Sequence, residues 1–153
     1  MKTILVPIDF SKVTKVVVAA ASTLARATNA RIVLLNVVQP PAVSEYSGIL
    51  ESVVPLMHAA RKASKHLLLH WQKELRERHQ LVPQICQRSG LPFAEIIAEA
   101  TALKPDYILM GCHGHTAFYD LIMGSTTSGV IKRAPCPVVV VPTQFKSTRK
   151  TAK

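Results

Sequence analysis

The stretch MGCHGHTAFYDLIMGSTT, residues 110–127, places glycines at both ends of a loop that joins a strand to a helix. The preceding apolar run from Tyr107 predicts a buried strand, and Ser125 opens a helical segment. Gly111 and Gly114 permit positive φ and a close approach of the backbone at the strand end. Gly124 precedes three hydroxyl residues at a helix N-terminus, where unpaired N–H groups and the helix dipole favour an anion. The spacing Gly-x2-Gly-x9-Gly-Ser therefore predicts a phosphate-binding loop.

Strands and helices alternate on the N-terminal side of this loop and again after it. Short apolar runs predict strands, and apolar positions at a spacing of three and four predict helices, the first capped by Ser11. The long second helix should begin near Val53 or Pro55, because Pro55 is tolerated only in a first turn. We expect Leu67 and Trp71 on the buried face of that helix. The predicted strands are 3–8, 32–38, 82–88, 107–111 and 137–141, and the predicted helices are 11–28, 53–78, 92–103 and 125–134.

This alternation predicts a single-domain α/β fold, an open five-stranded parallel sheet with helices on both faces. Right-handed crossovers bring the carboxyl ends of all strands to one edge. We predict the strand order 3-2-1-4-5, which reverses direction between the first and fourth strands. Ligands of such sheets bind at that reversal, and the order brings Asp9 beside Gly111 there.

Three motifs, in their order along the chain, resemble those of the universal stress protein family, in its ATP-binding subgroup. They are the glycine motif, the opening ILVPID at residues 4–9 and the closing APCPVVVVP at residues 134–142. The resemblance runs from Lys2 to Pro142. It implies an adenine-nucleotide alpha-hydrolase-like fold that binds ATP, with Mg²⁺ bridging the phosphates. It also implies a homodimer through the edge strand Val138–Val141, whose apolar residues favour pairing.

The resemblance also implies which residues contact the nucleotide. Pro7 and Asp9 match positions beside the adenine and ribose, and the backbone of Val37 matches a contact to the adenine edge. Thr126 matches a position that is often a small aliphatic residue in the family, so the resemblance leaves open whether its hydroxyl faces phosphate or protein. The first part of the phosphate and ribose loop matches Met110, Gly111, His113 and Gly114, and the part holding the β- and γ-phosphates matches Gly124, Ser125 and Thr127.

Each of these residues has a simpler interpretation. Asp9 is also placed to cap the following helix, and the glycine pair to form a tight turn. His113 and His115 are poor evidence for a metal site without a carboxylate nearby in the sequence. We therefore predict no metal held by the protein itself, and we favour ligand contact for Asp9 and the glycines.

The motif carries little sign of catalysis. It is not a Gly-x4-Gly-Lys-Ser/Thr loop, and residues 110–127 contain no lysine. Phosphoryl transfer needs charge neutralisation and a positioned nucleophile, and no catalytic residue is predicted. Three hypotheses follow: an ATP-binding stress or regulatory protein, a slow ATP hydrolase or nucleotidyl-transfer enzyme, and an interaction protein that needs no nucleotide.

Composition limits the partners and the compartment. The net charge of +10 comes in part from the C-terminal residues 144–153, which we expect to be a disordered basic tail after a domain at 1–143. Six more bases in residues 51–80 are interspersed with three acids along a helix, which is typical of a solvated face, so no specific nucleic-acid partner is predicted. No apolar run reaches the ~18–20 residues needed to cross a bilayer. Three cysteines without Cys-x-x-Cys spacing favour reduced thiols in the cytoplasm.

Overall fold

The computed structural model describes residues 1–40, 50–112 and 123–142, with side chains of the long second helix described from Val53 onward. In these ranges five strands alternate with four helices. The strands are β1 (Lys2–Pro7), β2 (Ala30–Val38), β3 (Gln84–Ser89), β4 (Tyr107–Gly111) and β5 (Val138–Val141). The helices are α1 (Thr14–Thr28), α2 (Leu50–His79), α3 (Pro92–Leu103) and α4 (Ser125–Ile131).

All strand pairs are parallel, and the order is β3-β2-β1-β4-β5, which confirms the predicted topology. β1 is the central strand and pairs with β2 along its whole length. Its register with β4 covers only Ile4 opposite Tyr107 and Leu5 opposite Ile108. Beyond these pairs the two strands separate toward their carboxyl ends, and a crevice opens at the reversal of strand order.

Side chains of the central strands alternate between two hydrophobic cores, one on each face of the sheet. Ile4 and Val6 point toward the face covered by α1 and α2, where Leu68 and Leu75 are buried. Leu5 points toward the opposite face, which α3 and α4 cover with Ile96, Ala100 and Val130. Both faces are therefore apolar, which explains the nearly continuous hydrophobic runs of the strands.

The structure corrects three predictions about the helices. Ser11 is not the cap of α1, since the N-cap is Val13, which makes no side-chain capping bond. The carbonyl of Ser11 instead accepts a bond from the N–H of Thr14. Helix α2 begins at Leu50, so Pro55 lies inside it. Leu67 is 42% exposed rather than buried, whereas Trp71 packs against the core as expected.

No helix among the described residues is long and apolar enough to span a membrane.

Candidate functional site

A cavity of about 820 Å³ fills the crevice between the carboxyl ends of β1 and β4. That volume lies within the range of about 300–1,000 Å³ that small-molecule sites occupy. The sheet forms its floor, α1 borders it on one side, and α3 with α4 borders it on the other. Nine of the predicted contact residues line it: Pro7, Asp9, Val37, Met110, Gly111, Gly124, Ser125, Thr126 and Thr127. His113 and Gly114 lie outside the described residues.

The loop after β1 turns sharply at the cavity edge. Phe10 has φ of 61°, a left-handed conformation that is strained for a bulky side chain. The Asp9 carboxylate accepts a hydrogen bond of 3.0 Å from the N–H of Ser11, which closes a local turn. This turn does not cap α1, because that helix begins at Thr14. Asp9 also lines the cavity.

A chain of hydrogen bonds fixes the floor of the cavity. Asn36 is buried, lines the cavity and donates to the carbonyl of Ile8 at 2.8 Å. The hydroxyl of Ser64, buried on α2, donates to the side-chain oxygen of Asn36 at 2.7 Å. Gln87 on β3 donates in turn to Ser64 at 2.7 Å. The end of β1 is therefore held in place through three other elements, β2, α2 and β3, which rigidifies the backbone beside Asp9.

The start of α4 is tied to the end of β4. The N–H of Gly124 donates to the carbonyl of Cys112 at 3.0 Å. The hydroxyl of Thr127, which is buried, donates to the carbonyl of Gly111 at 2.9 Å. That hydroxyl is thus directed to the protein, and its proton is committed to the junction between strand and helix. Two other residues at the start of α4 line the cavity with their hydroxyl groups not bonded to the sheet. They are Ser125, which is exposed, and Thr126.

Helix α4 lines the cavity well beyond the predicted motif. Ser125, Gly129 and Lys132 recur at helical spacing and all border the cavity, as does Arg133. The guanidinium of Arg133 lies 5.2 Å from the ring centre of Phe93, a cation–π contact that holds it at the rim. A Cβ at Gly129 would come within 2.9 Å of the Phe93 side chain, so the glycine allows α4 to approach α3 closely.

The lining is therefore asymmetric in charge. Among the described lining residues Asp9 is the only acid, whereas Lys132 and Arg133 provide two positive charges, both exposed, at the α4 side. Lys132, Arg133, Phe93 and Thr14 were not among the predicted site residues. The spacing of Lys132 from Ser125, seven positions along one helix, is a signal that could have identified it. Phe93 and Thr14 enter the site through the packing of α3 and α1, which no local motif marks.

A parallel sheet with helices on both faces and a cavity at the reversal of strand order defines the doubly wound class of α/β proteins. Within that class, this chain belongs to the universal stress protein family, whose sequence profile matches residues 1–142.

Two curated relatives show how far the similarity extends. Universal stress protein MJ0577 of Methanocaldococcus jannaschii is 28% identical, and the alignment covers 92% of this chain and 94% of that protein. The solved structure of MJ0577 covers 95% of this chain and 98% of its own, with a TM-score of 0.80. A universal stress protein from Thermus aquaticus is 33% identical, over 92% of this chain and 98% of that protein.

Two more distant structures were solved with adenine nucleotides. A universal stress protein family protein from Arabidopsis thaliana, with AMP bound, has a TM-score of 0.65 at 17% identity and covers 93% of this chain and 92% of its own. A universal stress protein in complex with cAMP has a TM-score of 0.60 at 20% identity, over 94% of this chain and 98% of its own. At these identities the likeness shows a common fold.

Proposed function

We propose that this protein binds an adenine nucleotide, with ATP favoured, in the cavity between β1 and β4. The observation that carries the proposal is the lining of that cavity of about 820 Å³, which combines the segment Gly124–Thr127 and the cations Lys132 and Arg133 on the α4 side with Asp9 and Val37 at the ends of β1 and β2. One end offers hydroxyls and positive charge to phosphates, and the other offers a carboxylate and an apolar strand end to a ribose and base. The AMP and cAMP complexes of the two distant family members support the choice of an adenine nucleotide.

Magnesium would enter with the nucleotide. Among the described residues no group of three or more His, Cys, Asp or Glu side chains is placed to hold a metal ion. Mg²⁺ retains several waters and commonly binds through substrate phosphates. We therefore assign it to the phosphate oxygens, where it would neutralise charge.

Binding, rather than turnover, is the proposed activity. Among the described lining residues Asp9 is the only carboxylate, and its Oδ1 accepts a bond from the N–H of Ser11. Lys132 and Arg133 supply positive charge. The described lining contains no histidine and no second carboxylate that could work with Asp9 as an acid–base pair. The protein would then act in the cytoplasm as a nucleotide-dependent stress-response or regulatory module, working as a homodimer, with any ATP hydrolysis slow.

The test is calorimetric titration of ATP with magnesium into the wild type and the Gly124→Val variant. We expect micromolar binding by the wild type and at least about tenfold weaker binding by the variant, because a branched side chain would occupy the loop that lines the cavity. Thr101→Val is the matched control, since Thr101 is exposed on α3 and bonds only to the carbonyl of Ile97.

Two results would contradict the proposal. Absence of heat and of any thermal shift, with copurified nucleotide excluded by mass spectrometry, would favour the interaction protein that needs no nucleotide. Release of ADP at the rate of an ordinary ATPase, abolished by Asp9→Ala, would favour the hydrolase.

A further inference from the structure

Two buried hydroxyls, one in the first turn of α1 and one just before the helix, are not used by the proposed nucleotide contacts. Thr14 is 2% exposed and lines the cavity, and its hydroxyl has no hydrogen-bond partner among the described residues. The hydroxyl of Ser11, one turn earlier, is also buried without a partner there. A buried hydroxyl without a partner typically destabilises a fold by about 1–3 kcal/mol. Because Thr14 also lines the cavity, its unpartnered hydroxyl points to a group that is supplied from outside the chain.

The surroundings of Thr14 favour an anion as that group. Helix α1 is 15 residues long, its N-cap Val13 provides no side-chain bond, and its first turn contains no acid. The dipole of such a helix start attracts negative charge, although the N–H groups of Thr14 and Val16 already donate to the carbonyls of Ser11 and Val13. Two exposed lysines, Lys12 and Lys15, lie within two residues of Thr14 in the sequence. Their positive charges add to the positive end of the helix dipole.

We propose that the N-terminus of α1 is an anion subsite of the cavity, in which the Thr14 hydroxyl donates to a phosphate oxygen. The inference rests on the proposed function when the phosphate belongs to the nucleotide, but free inorganic phosphate or pyrophosphate offers the same chemistry. The subsite lies across the cavity from α4, so a nucleotide using both would have its phosphates held between two helices. Thr14 would then help to select nucleotides that carry phosphate over the nucleoside.

The experiment compares the wild type with Thr14→Val, which removes the hydroxyl at nearly constant volume. ATP, AMP, adenosine and pyrophosphate are titrated separately into both proteins, and unfolding in urea is measured. We expect the variant to bind at least one of the phosphate compounds about tenfold more weakly, since bonds to charged groups are the stronger ones. Adenosine affinity should change less than about twofold, and the variant should be no less stable, because it loses an unpartnered buried hydroxyl.

Ser22→Ala is the matched control on the same helix. Its buried hydroxyl donates to the carbonyl of Val18 at 2.8 Å and lies outside the cavity lining. This variant should lose some stability and keep every affinity. Ser11→Ala serves as a second variant, with a smaller expected effect on phosphate binding, since Ser11 does not line the cavity.

The outcomes separate this inference from the proposed function. Unchanged affinity for all four compounds in Thr14→Val, or an equal loss for adenosine, would overturn the anion subsite while leaving nucleotide binding intact. If the wild type binds neither ATP, AMP nor adenosine, the proposed function fails. In that case the titration of pyrophosphate alone tests the anion subsite. Pyrophosphate binding that is weaker in Thr14→Val than in the wild type supports the subsite, and absence of pyrophosphate binding by the wild type overturns it.

Discussion

Lys132 shows how a single residue outside a recognised motif can contribute to a candidate site. It follows Ser125 by seven positions, about two helical turns, and lines the same cavity as Asp9. The side chain is exposed. We therefore expect its charge to attract a polyphosphate at low ionic strength, and we expect added salt to weaken this attraction.

The Lys132→Ala variant tests this at low and high ionic strength. We expect about two- to fivefold weaker binding of ATP at low salt, in keeping with the worth of exposed charge pairs, and a smaller effect on AMP. The difference should shrink as salt rises toward 1 M. Lys73→Ala, which removes an exposed lysine paired only with Glu77 on α2, is the matched control. A loss that is independent of salt, or equal for ATP and AMP, would contradict the assignment.

Residue-level prediction from sequence identified part of the glycine motif and the strand-end residues Pro7, Asp9 and Val37, which line the cavity, but it missed the lining residues on α1 and α3. Gly124 to Thr127 could be identified because glycines and hydroxyls at a helix start have one clear physical use. Thr14 could not be identified, since its significance depends on a hydroxyl left without a partner after α1 packs. The role of Thr127 was also beyond sequence reasoning, because its bond to Gly111 exists only once β4 and α4 meet.

At the scale of elements, the contact between the ends of α1 and α2 contains a histidine with a lowered pKa. Arg26 on α1 donates to the carbonyl of His79 at 2.7 Å. Burial lowers the pKa of His79 below its ordinary value of 6.5, and the positive charges of Arg26 and Arg78 lower it further, against a smaller opposing effect of Glu74. In the folded protein His79 therefore resists protonation.

The consequence for stability follows from proton linkage. Between the lowered pKa of the folded state and 6.5 the unfolded chain binds more protons, so the free energy of unfolding rises with pH in that interval. We expect stability to fall as pH drops below about 6.5, and His79→Gln to flatten that decline. Urea unfolding at several pH values measures it, with His66→Gln, an exposed position on α2, as the control. An equally steep decline in His79→Gln would contradict the expectation.

The boundary of a helix was predictable where a residue with a strong positional preference stands at it, and not elsewhere. Pro92 begins α3 as predicted, because proline suits the first helical position. The start of α2 was predicted too late, since the helix begins at Leu50 and includes Pro55 in its second turn. Ser11 was the plausible cap by composition, but the left-handed turn at Phe10 delays the helix to Thr14.

For the whole molecule, strand order was predictable because alternating strands and helices allow few connections. The association of two chains is a separate question. β5 pairs with β4 and carries four consecutive valines, of which Val139 is 37% exposed. An apolar edge of this kind favours pairing with a second copy.

We therefore expect the wild type to be a dimer by light scattering at micromolar concentration and the Val139→Lys variant to be a monomer, because a charge at the edge blocks pairing. Val54→Lys is the matched control, since Val54 is 69% exposed on α2, away from β5. A monomeric wild type, or a Val139→Lys variant that remains dimeric, would show that this edge is not the interface.

The central position of β1 has a consequence for biosynthesis. Leu5 pairs with Ile108, so one wall of the cavity is made at the start of translation and the other after most of the chain has left the ribosome. A nascent chain holds β1 and β2 long before it holds β4, α4 or any site for a ligand. Because a ligand stabilises only the state that binds it, the proposed nucleotide would stabilise finished molecules and leave truncated ones to proteolysis.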